Sequence, residues 1–172
     1  MKVQSGTVPL METEGALMTE RREPSAREAA EAWESLFRAQ VTVMRRLLAD
    51  DIWGDLSMRE YDVLFTLALA PNETLRLREL NENILMAQSS LSRMVERLEK
   101  RGLVRRHPSP DDGRGVLVSL TREGSATQKE LGRRHVRSIA HYVSPAMDAD
   151  DLARLRELSE ALRSAQSDID DF

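Results

Sequence analysis

The chain has 172 residues and a formal net charge of −4, and 41% of its residues are hydrophobic. It contains no cysteine, which excludes disulfide bonds, thiolate metal sites and thiol-based redox sensing. No apolar run approaches the ~20 residues that a membrane helix needs, so we expect a soluble cytoplasmic protein without membrane contact.

The N-terminal part combines a tail with a long helix. Residues 1–24 mix polar, acidic and isolated apolar residues without periodicity, which predicts a mobile tail. Ser25 and Glu28 then have the spacing of a helix capping box, and apolar residues recur at helical spacing from Ala29 to Leu48. This stripe is longer than one small domain needs, which indicates packing against a second subunit.

A second helix and a short third one follow. Ser57 and Glu60 form another capping-box pattern, and the helix is stopped by Pro71. Its apolar positions, which we expect in the core, are Tyr61, Leu64, Phe65, Leu67 and Ala68. After an extended piece at residues 75–77, the pattern predicts a short helix over 78–84 and a tight turn at 86–87.

The next predicted helix, Gln88 to Lys100, has two chemically different faces. Leu91, Met94, Val95 and Leu98 recur at the spacing of one buried face. Small polar and cationic residues occupy the remaining surface, and such groups can contact base edges and phosphates. The candidate DNA-binding residues on this helix are Gln88, Ser89, Ser90, Ser92, Arg93, Arg97 and Lys100.

A predicted β-hairpin comes after this helix. Gly102 has the position of a helix C-terminal glycine, and residues 103–107 and 116–121 are two strands joined by a tip rich in Pro, Asp and Gly. Arg114 at the tip can enter a DNA minor groove, and Asp112 can restrain its guanidinium group. Taken alone, the tip could equally be an ordinary solvated turn. Together with the preceding helices, it predicts a winged helix-turn-helix, a mainly α fold with a small β-wing.

The C-terminal third is predicted to be helical. One helix starts near Thr121 and reaches His141, and a second begins at Asp148 with Leu152, Leu155, Leu158 and Leu162 on one stripe. We therefore expect a single domain over residues 25–172. Residues 55–121 form its DNA-binding lobe, and residues 25–53 and 122–172 form its dimerisation helices.

The distribution of charge suits a DNA-binding lobe. From Arg76 to Gly115 there are nine Lys and Arg residues against six Asp and Glu residues, a net charge of +3 that leaves −7 elsewhere. Affinity for a polyanion depends on the cations close to it rather than on the charge of the whole chain. Double-stranded DNA is thus the predicted partner.

From roughly Ala29 to Ala165 the chain resembles the MarR family of bacterial transcription regulators. The segments LSMREYDVLFTL, SSLSRMVERLEKRGLVRR and PDDGRGVLVSLTREG carry the resemblance. It implies a cytoplasmic, nucleoid-associated homodimer with interlocked terminal helices and recognition helices in successive major grooves of an inverted-repeat operator. In this family Arg114 would enter the minor groove, held by Asp112. One departure is Ala87, where the family usually has Ser or Thr.

The resemblance also implies a ligand-responsive repressor. MarR-type proteins generally sense small anionic aromatic molecules, and the chain looks like the urate-responsive branch, which would take a purine. Matched by position, the ligand residues are Trp33, Asp62, Arg93 and Arg105. The alternative is that Trp33 belongs to the core or the dimer interface and that Asp62 pairs with a neighbouring Arg.

Other function classes find little support in the sequence. His107, His135 and His141 lack metal-ligand spacing, and there is no phosphate-binding glycine loop or nucleophile–histidine pairing. We therefore predict no metal, no cofactor and no enzymatic activity. The remaining competitor is a winged-helix adaptor that uses the same lobe for protein contacts.

Overall fold

The computed structural model describes residues 22–84, 86–109 and 115–170. Most of the predicted tail, and the wing-tip residues Asp112 and Arg114, lie outside the described residues. The chain divides into two compact units, residues 1–37 and 38–172.

Six α-helices and three short strands make up the described fold, in agreement with the predicted mainly helical class. The helices are α1 (Ala26–Ala49), α2 (Met58–Leu69), α3 (Leu77–Glu82), α4 (Gln88–Lys100), α5 (Arg122–Val143) and α6 (Ala149–Ala165). The strands are β1 (Thr74–Arg76), β2 (Val104–Pro108) and β3 (Val116–Leu120). Short 3-10 turns occupy Pro71–Glu73, Ser144–Ala146 and Gln166–Asp168.

Both predicted capping boxes are formed. The Ser25 amide donates to a Glu28 carboxylate oxygen at 2.8 Å, and the Glu28 amide donates to the Ser25 hydroxyl at 3.3 Å. Hydrogen bonds from Arg22 and then from Ser25 lower the pKa of Glu28 to about 2. Ser57 and Glu60 exchange the same pair of bonds at the start of α2. These bonds satisfy amide groups that have no partner within the helix.

The sheet has one strand more than the predicted hairpin. Its order is β1-β3-β2, and all pairs are antiparallel, with Leu75 opposite Val118 and Arg106 opposite Val118 on the other side. The sequence indicated only an extended piece near β1, because three residues are too few to show the alternation of a strand. Through β1, the segment between α2 and α3 is tied to the base of the wing.

The core lies between α2, α3, α4 and the sheet, with further contributions from α5 and the loop before α2. Its fully buried members include Val63, Leu64, Leu67, Leu80, Leu91, Val95, Leu98 and Val118. Phe65 was expected in this core but is 40% exposed. Its position on α2 faces the open space beside α5 instead.

Trp53 is a core residue that periodicity did not reveal. It lies in the loop before α2, where its indole Nε1 donates to the Leu47 carbonyl at 3.2 Å. Its ring packs against Tyr61 and His135, with centroid distances of 5.3 and 5.0 Å. A buried Trp is stable here because its one polar atom has a partner. The cluster joins the end of α1 to α2 and α5.

Candidate nucleic-acid interface

Packing fixes which face of α4 points outward. Leu91, Met94, Val95 and Leu98 are all buried, as the spacing predicted. Six of the seven candidate DNA-binding residues on this helix are exposed, namely Gln88, Ser89, Ser90, Arg93, Arg97 and Lys100, and Ser92 is half-buried. The apolar face thus anchors the helix and leaves a row of hydroxyl, amide and guanidinium groups accessible to a ligand.

The three cations of this face differ in their local partners. Arg97 Nε lies 3.6 Å from a Glu60 carboxylate oxygen, and Lys100 Nζ lies 3.7 Å from Glu96. Arg93 has no acidic partner among the described residues, and it is exposed. Its guanidinium group is therefore the most available of the three for a bidentate contact to guanine or phosphate.

Glu60 ties the C-terminal half of α4 to the start of α2. Burial raises the pKa of its carboxyl group, but hydrogen bonds from Ser57 and the charge of Arg97 outweigh burial and leave the pKa below its usual value. Nearby, Arg101 Nη1 donates to the Asp55 carbonyl at 2.9 Å. These long-range contacts orient α4, and no local sequence pattern marks them.

The N-terminus of α4 is uncapped by side chains. Ala87 is the N-cap residue, no side-chain cap hydrogen bond is formed, and the first turn carries no acidic residue. Neither Ser89 nor Ser90 therefore supplies the side-chain cap that a Ser or Thr at position 87 could provide. The first amide groups of such a helix, together with its dipole, favour an anion such as a phosphate group.

The two arginines of strand β2 differ in their contacts. Arg105 is exposed and has no acidic partner within the part of the chain that the structure describes. Arg106 instead binds Glu99 at the end of α4 through its Nε at 2.7 Å. His107 Nε2 and the Ser119 hydroxyl lie 2.8 Å apart across β2 and β3. The roles of Asp112 and Arg114 remain predictions, since both lie outside the described residues.

A second candidate site is an apolar cleft between α2 and α5. It measures about 240 Å³ and is lined by Met58, Tyr61, Asp62, Phe65, His135, Val136 and Ile139. Asp62 is the only predicted ligand residue in this lining; Arg93 and Arg105 are not part of it. Trp33 belongs to the N-terminal unit, where it is 60% exposed and stacks on Phe37 with a ring-centroid distance of 6.3 Å.

Next to this cleft, α5 presents cations that the sequence analysis did not single out. Lys129, Arg133 and Arg137 line an open groove of about 660 Å³ together with Tyr61 and Phe65. Their spacing of four residues places them on one helix face, and this spacing could have revealed them. The groove therefore combines aromatic surface with positive charge.

Asp62 is the acidic group in the lining of this cleft. Burial of its carboxyl group raises its pKa, and no ion pair or hydrogen bond satisfies it among the described residues. The expected pairing of Asp62 with a neighbouring Arg is thus not seen there. A carboxylate that is partly desolvated and unpaired costs folding free energy at neutral pH.

We expect Asp62→Asn to stabilise the ligand-free protein slightly at pH 7. Because the pKa of Asp62 is higher in the folded state, its contribution to stability is favourable only at low pH and is lost as pH rises. The gain should be about 0.5 kcal/mol or less, since solvent screens this exposed residue. Urea midpoints at pH 7 and pH 4 measure it, and the gain should be smaller at the lower pH.

Glu60→Gln is the matched control for this change. The pKa of Glu60 is lowered in the folded state, so its stabilising contribution exists at neutral pH and is lost as pH falls. This variant should therefore be destabilised at pH 7. A destabilised Asp62→Asn at pH 7 would instead show that its carboxylate has a stabilising partner.

No described helix is both long and apolar enough to cross a membrane. Among the same residues, no group of His, Asp and Glu side chains is arranged to hold a metal ion.

Comparison with known proteins finds relatives for part of the chain. Residues 54–115 match the family model of the MarR family. The multiple antibiotic resistance protein MarR of Salmonella typhimurium is 34% identical over 80 residues, which cover 46% of this chain and 56% of that protein. The organic hydroperoxide resistance transcriptional regulator of Bacillus subtilis is 34% identical over 67 residues, covering 39% and 46%. The chain thus spans about half the length of the curated relatives it matches.

Solved structures extend the likeness to most of the chain. Sco3205, a MarR family transcriptional regulator from Streptomyces coelicolor in complex with DNA, has a TM-score of 0.67 and 28% identity, covering 86% of this chain and 92% of that one. A mutant MarR from E. coli complexed with operator DNA has a TM-score of 0.64 and 25% identity, covering 81% and 99%. These relatives are transcriptional regulators, not enzymes. With its three-stranded sheet, its exposed helix α4 and these matches, the chain has a winged helix-turn-helix fold, and its residues 54–115 resemble the MarR family.

Proposed function

We propose that the protein is a transcriptional regulator that binds an inverted-repeat operator as a homodimer. The observation that carries the proposal is the exposed face of α4, where Arg93 has no acidic partner among the described residues and the N-terminus lacks a side-chain cap, on a segment of net charge +3. The DNA complexes of Sco3205 and of MarR from E. coli support this use of the lobe. Such a regulator would act in the cytoplasm, at the nucleoid.

Exposed apolar side chains support a homodimer. In the N-terminal unit, Trp33 and Phe37 of α1 are largely exposed, and in the second unit Leu155, Leu158 and Leu162 of α6 are exposed along one stripe. Contiguous apolar surface on a folded chain commonly marks a protein interface. A two-fold dimer would also supply the second recognition helix that an inverted repeat requires.

The α2–α5 cleft supports regulation by a small molecule. Its walls are apolar and aromatic, its carboxylate, Asp62, has no ion-pair partner in the part of the chain that the structure describes, and the adjoining groove offers guanidinium groups. A flat anionic aromatic molecule or a purine could place its ring on Tyr61 and Phe65 and its oxyanion on Arg133 or Arg137. We propose that such an effector releases a repressor from DNA, as in the urate-responsive branch, with Trp33, Arg93 and Arg105 as further ligand candidates.

DNA selection followed by footprinting tests the proposed function. The selected site should be an inverted repeat with half-sites about 10 bp apart, and the logarithm of affinity should fall steeply and linearly with the logarithm of salt concentration. Sedimentation at micromolar concentration should give a dimer. A protein that selects no sequence and whose weak DNA binding shows no salt dependence would favour the adaptor function instead. The effector is tested by adding purines and aromatic carboxylates to the complex.

A further inference from the structure

We infer that Glu99 is a positioning residue that fixes the wing relative to the recognition helix α4. The inference rests on the proposed DNA-binding function. It assigns to Glu99 the task of keeping two DNA-contacting elements in one orientation, so that helix and wing can engage neighbouring grooves together. Glu99 itself is not expected to touch DNA.

The geometry of the contact is bidentate. Glu99 lies in the last turn of α4, and its Oε1 accepts a hydrogen bond from the backbone amide of Arg106 at 2.8 Å. Its Oε2 accepts a second bond from Arg106 Nε at 2.7 Å. One carboxylate thus holds both the main chain and the side chain of a β2 residue. Charge-assisted bonds of this length are among the stronger polar contacts in proteins.

The contact lies where it can set the direction of strand β2 relative to helix α4. Only residues 101–103 connect α4 to β2, and Gly102 in this turn has a φ of 74°. The Leu103 amide donates to the Leu98 carbonyl at 3.0 Å, which fixes where the strand begins. A second tie at Arg106, further along the strand, is needed to fix where the strand points. Arg106 also lies opposite Val118 of β3, so the tie extends to the whole wing.

The negative charge of Glu99 by itself opposes DNA binding. Hydrogen bonds from the Arg106 amide and side chain lower the pKa of Glu99, so it is ionised at neutral pH. The side chains of Arg106 and Glu99 are 36% and 31% exposed, respectively. An anion on a lobe that approaches DNA opposes binding, and its pairing also neutralises a cation that phosphate could use.

A role through charge and a role in positioning the wing predict opposite changes in DNA affinity for the substitution Glu99→Gln. If Glu99 acts only through its charge, Glu99→Gln removes repulsion, frees Arg106 and strengthens DNA binding. If Glu99 positions the wing, the same change weakens binding, because the wing no longer meets its groove in register with α4. We expect about tenfold weaker binding to the selected operator.

Glu96→Gln is a matched control on the same helix. Glu96 is exposed and pairs with Lys100 within α4, so its removal changes the charge equally without releasing the wing. It should leave affinity unchanged or increase it. Arg106→Lys is a second probe, because it keeps the charge and the backbone amide but loses the Nε donor. It should show the same direction of change as Glu99→Gln.

The experiment measures the affinity of the full chain for DNA by fluorescence anisotropy. The operators carry changes either at their centre or in their flanks, and each variant is measured well below its unfolding temperature. Glu99→Gln should lose sensitivity to the flanks, where the wing contacts DNA, and retain the base preferences of the centre. Unchanged or tighter binding by Glu99→Gln overturns the inference, as does equal weakening by Glu96→Gln. If the wild-type protein selects no DNA sequence, the proposed function is wrong, and this result is distinct from a failure of the inference about Glu99. Should Glu99→Gln not fold, Arg106→Lys alone decides between the outcomes.

Discussion

Gly124→Ala is expected to destabilise the protein by about 3 kcal/mol or more, a cost at or above the upper end for overpacked sites. A Cβ atom on Gly124 would lie 1.9 Å from the carbonyl oxygen of Leu103 and 2.9 Å from its carbonyl carbon. Both atoms belong to the main chain, so no side-chain rotation can relieve the clash. The start of α5 or the start of β2 would have to move.

Neither segment is free to move without breaking other bonds. The Thr121 hydroxyl accepts from the Gly124 amide at 3.0 Å and donates to the Gly102 carbonyl at 2.6 Å. The Thr121 amide donates to the Leu103 carbonyl at 3.1 Å. Thr121 therefore caps α5 and fastens it to the turn between α4 and β2. Separating the two would break these hydrogen bonds, which adds to the cost.

Gly132→Ala provides the control on the same helix. Its Cβ would meet the Tyr61 hydroxyl at 3.2 Å and Gln128 Nε2 at 3.5 Å, both at the far ends of side chains. The change also gains up to about 1 kcal/mol of helix propensity. This variant should therefore be close to the wild type in urea unfolding. If Gly124→Ala unfolds at the same midpoint as Gly132→Ala, the close approach of α5 to Leu103 is not a constraint on the fold.

Local rules predicted the elements of this fold well. The spacing of Leu91 and Leu98 predicted which face of α4 is buried, and the Ser57–Glu60 pair predicted where α2 begins. In both cases the deciding interactions lie within one turn or one helix face. A short-range pattern is therefore enough to specify them.

Contacts between distant segments could not be predicted in the same way. Trp53 is buried because Leu47, Tyr61 and His135 meet around it, and nothing in its own loop indicates this. Phe65 has the period of a core residue, but it lies in the lining of the open groove beside α5 and is 40% exposed.

In the candidate site, too, local patterns could be predicted and contacts between distant segments could not. The helical period predicted the exposed face of α4, whereas the ties from Glu60 to Arg97 and from Glu99 to Arg106 depend on tertiary packing. The sequence therefore indicated which groups could meet DNA. It could not show which cations are already paired, and the pairing is what distinguishes Arg93 from Arg97.

Arg93→Ala is expected to weaken operator binding by about 1–3 kcal/mol, roughly 5- to 150-fold, and to relax the preference at one base position. Arg93 is exposed near the uncapped end of α4 and has no acidic partner among the residues described, so it can donate two parallel hydrogen bonds to a base edge. Arg97→Ala should cost less affinity and more stability, because Arg97 also pairs with Glu60.

Arg134→Ala is the control that separates a local contact from the loss of one positive charge. Arg134 is exposed on α5 and pairs with Glu130 on the same helix. It should bind the operator nearly as the wild type does, with unchanged base preferences. Anisotropy titrations on operators with single base-pair changes make the comparison. Equal losses for Arg93→Ala and Arg134→Ala, without any change in base preference, would mean that α4 contributes only charge, and the specificity of the lobe would have to come from another element.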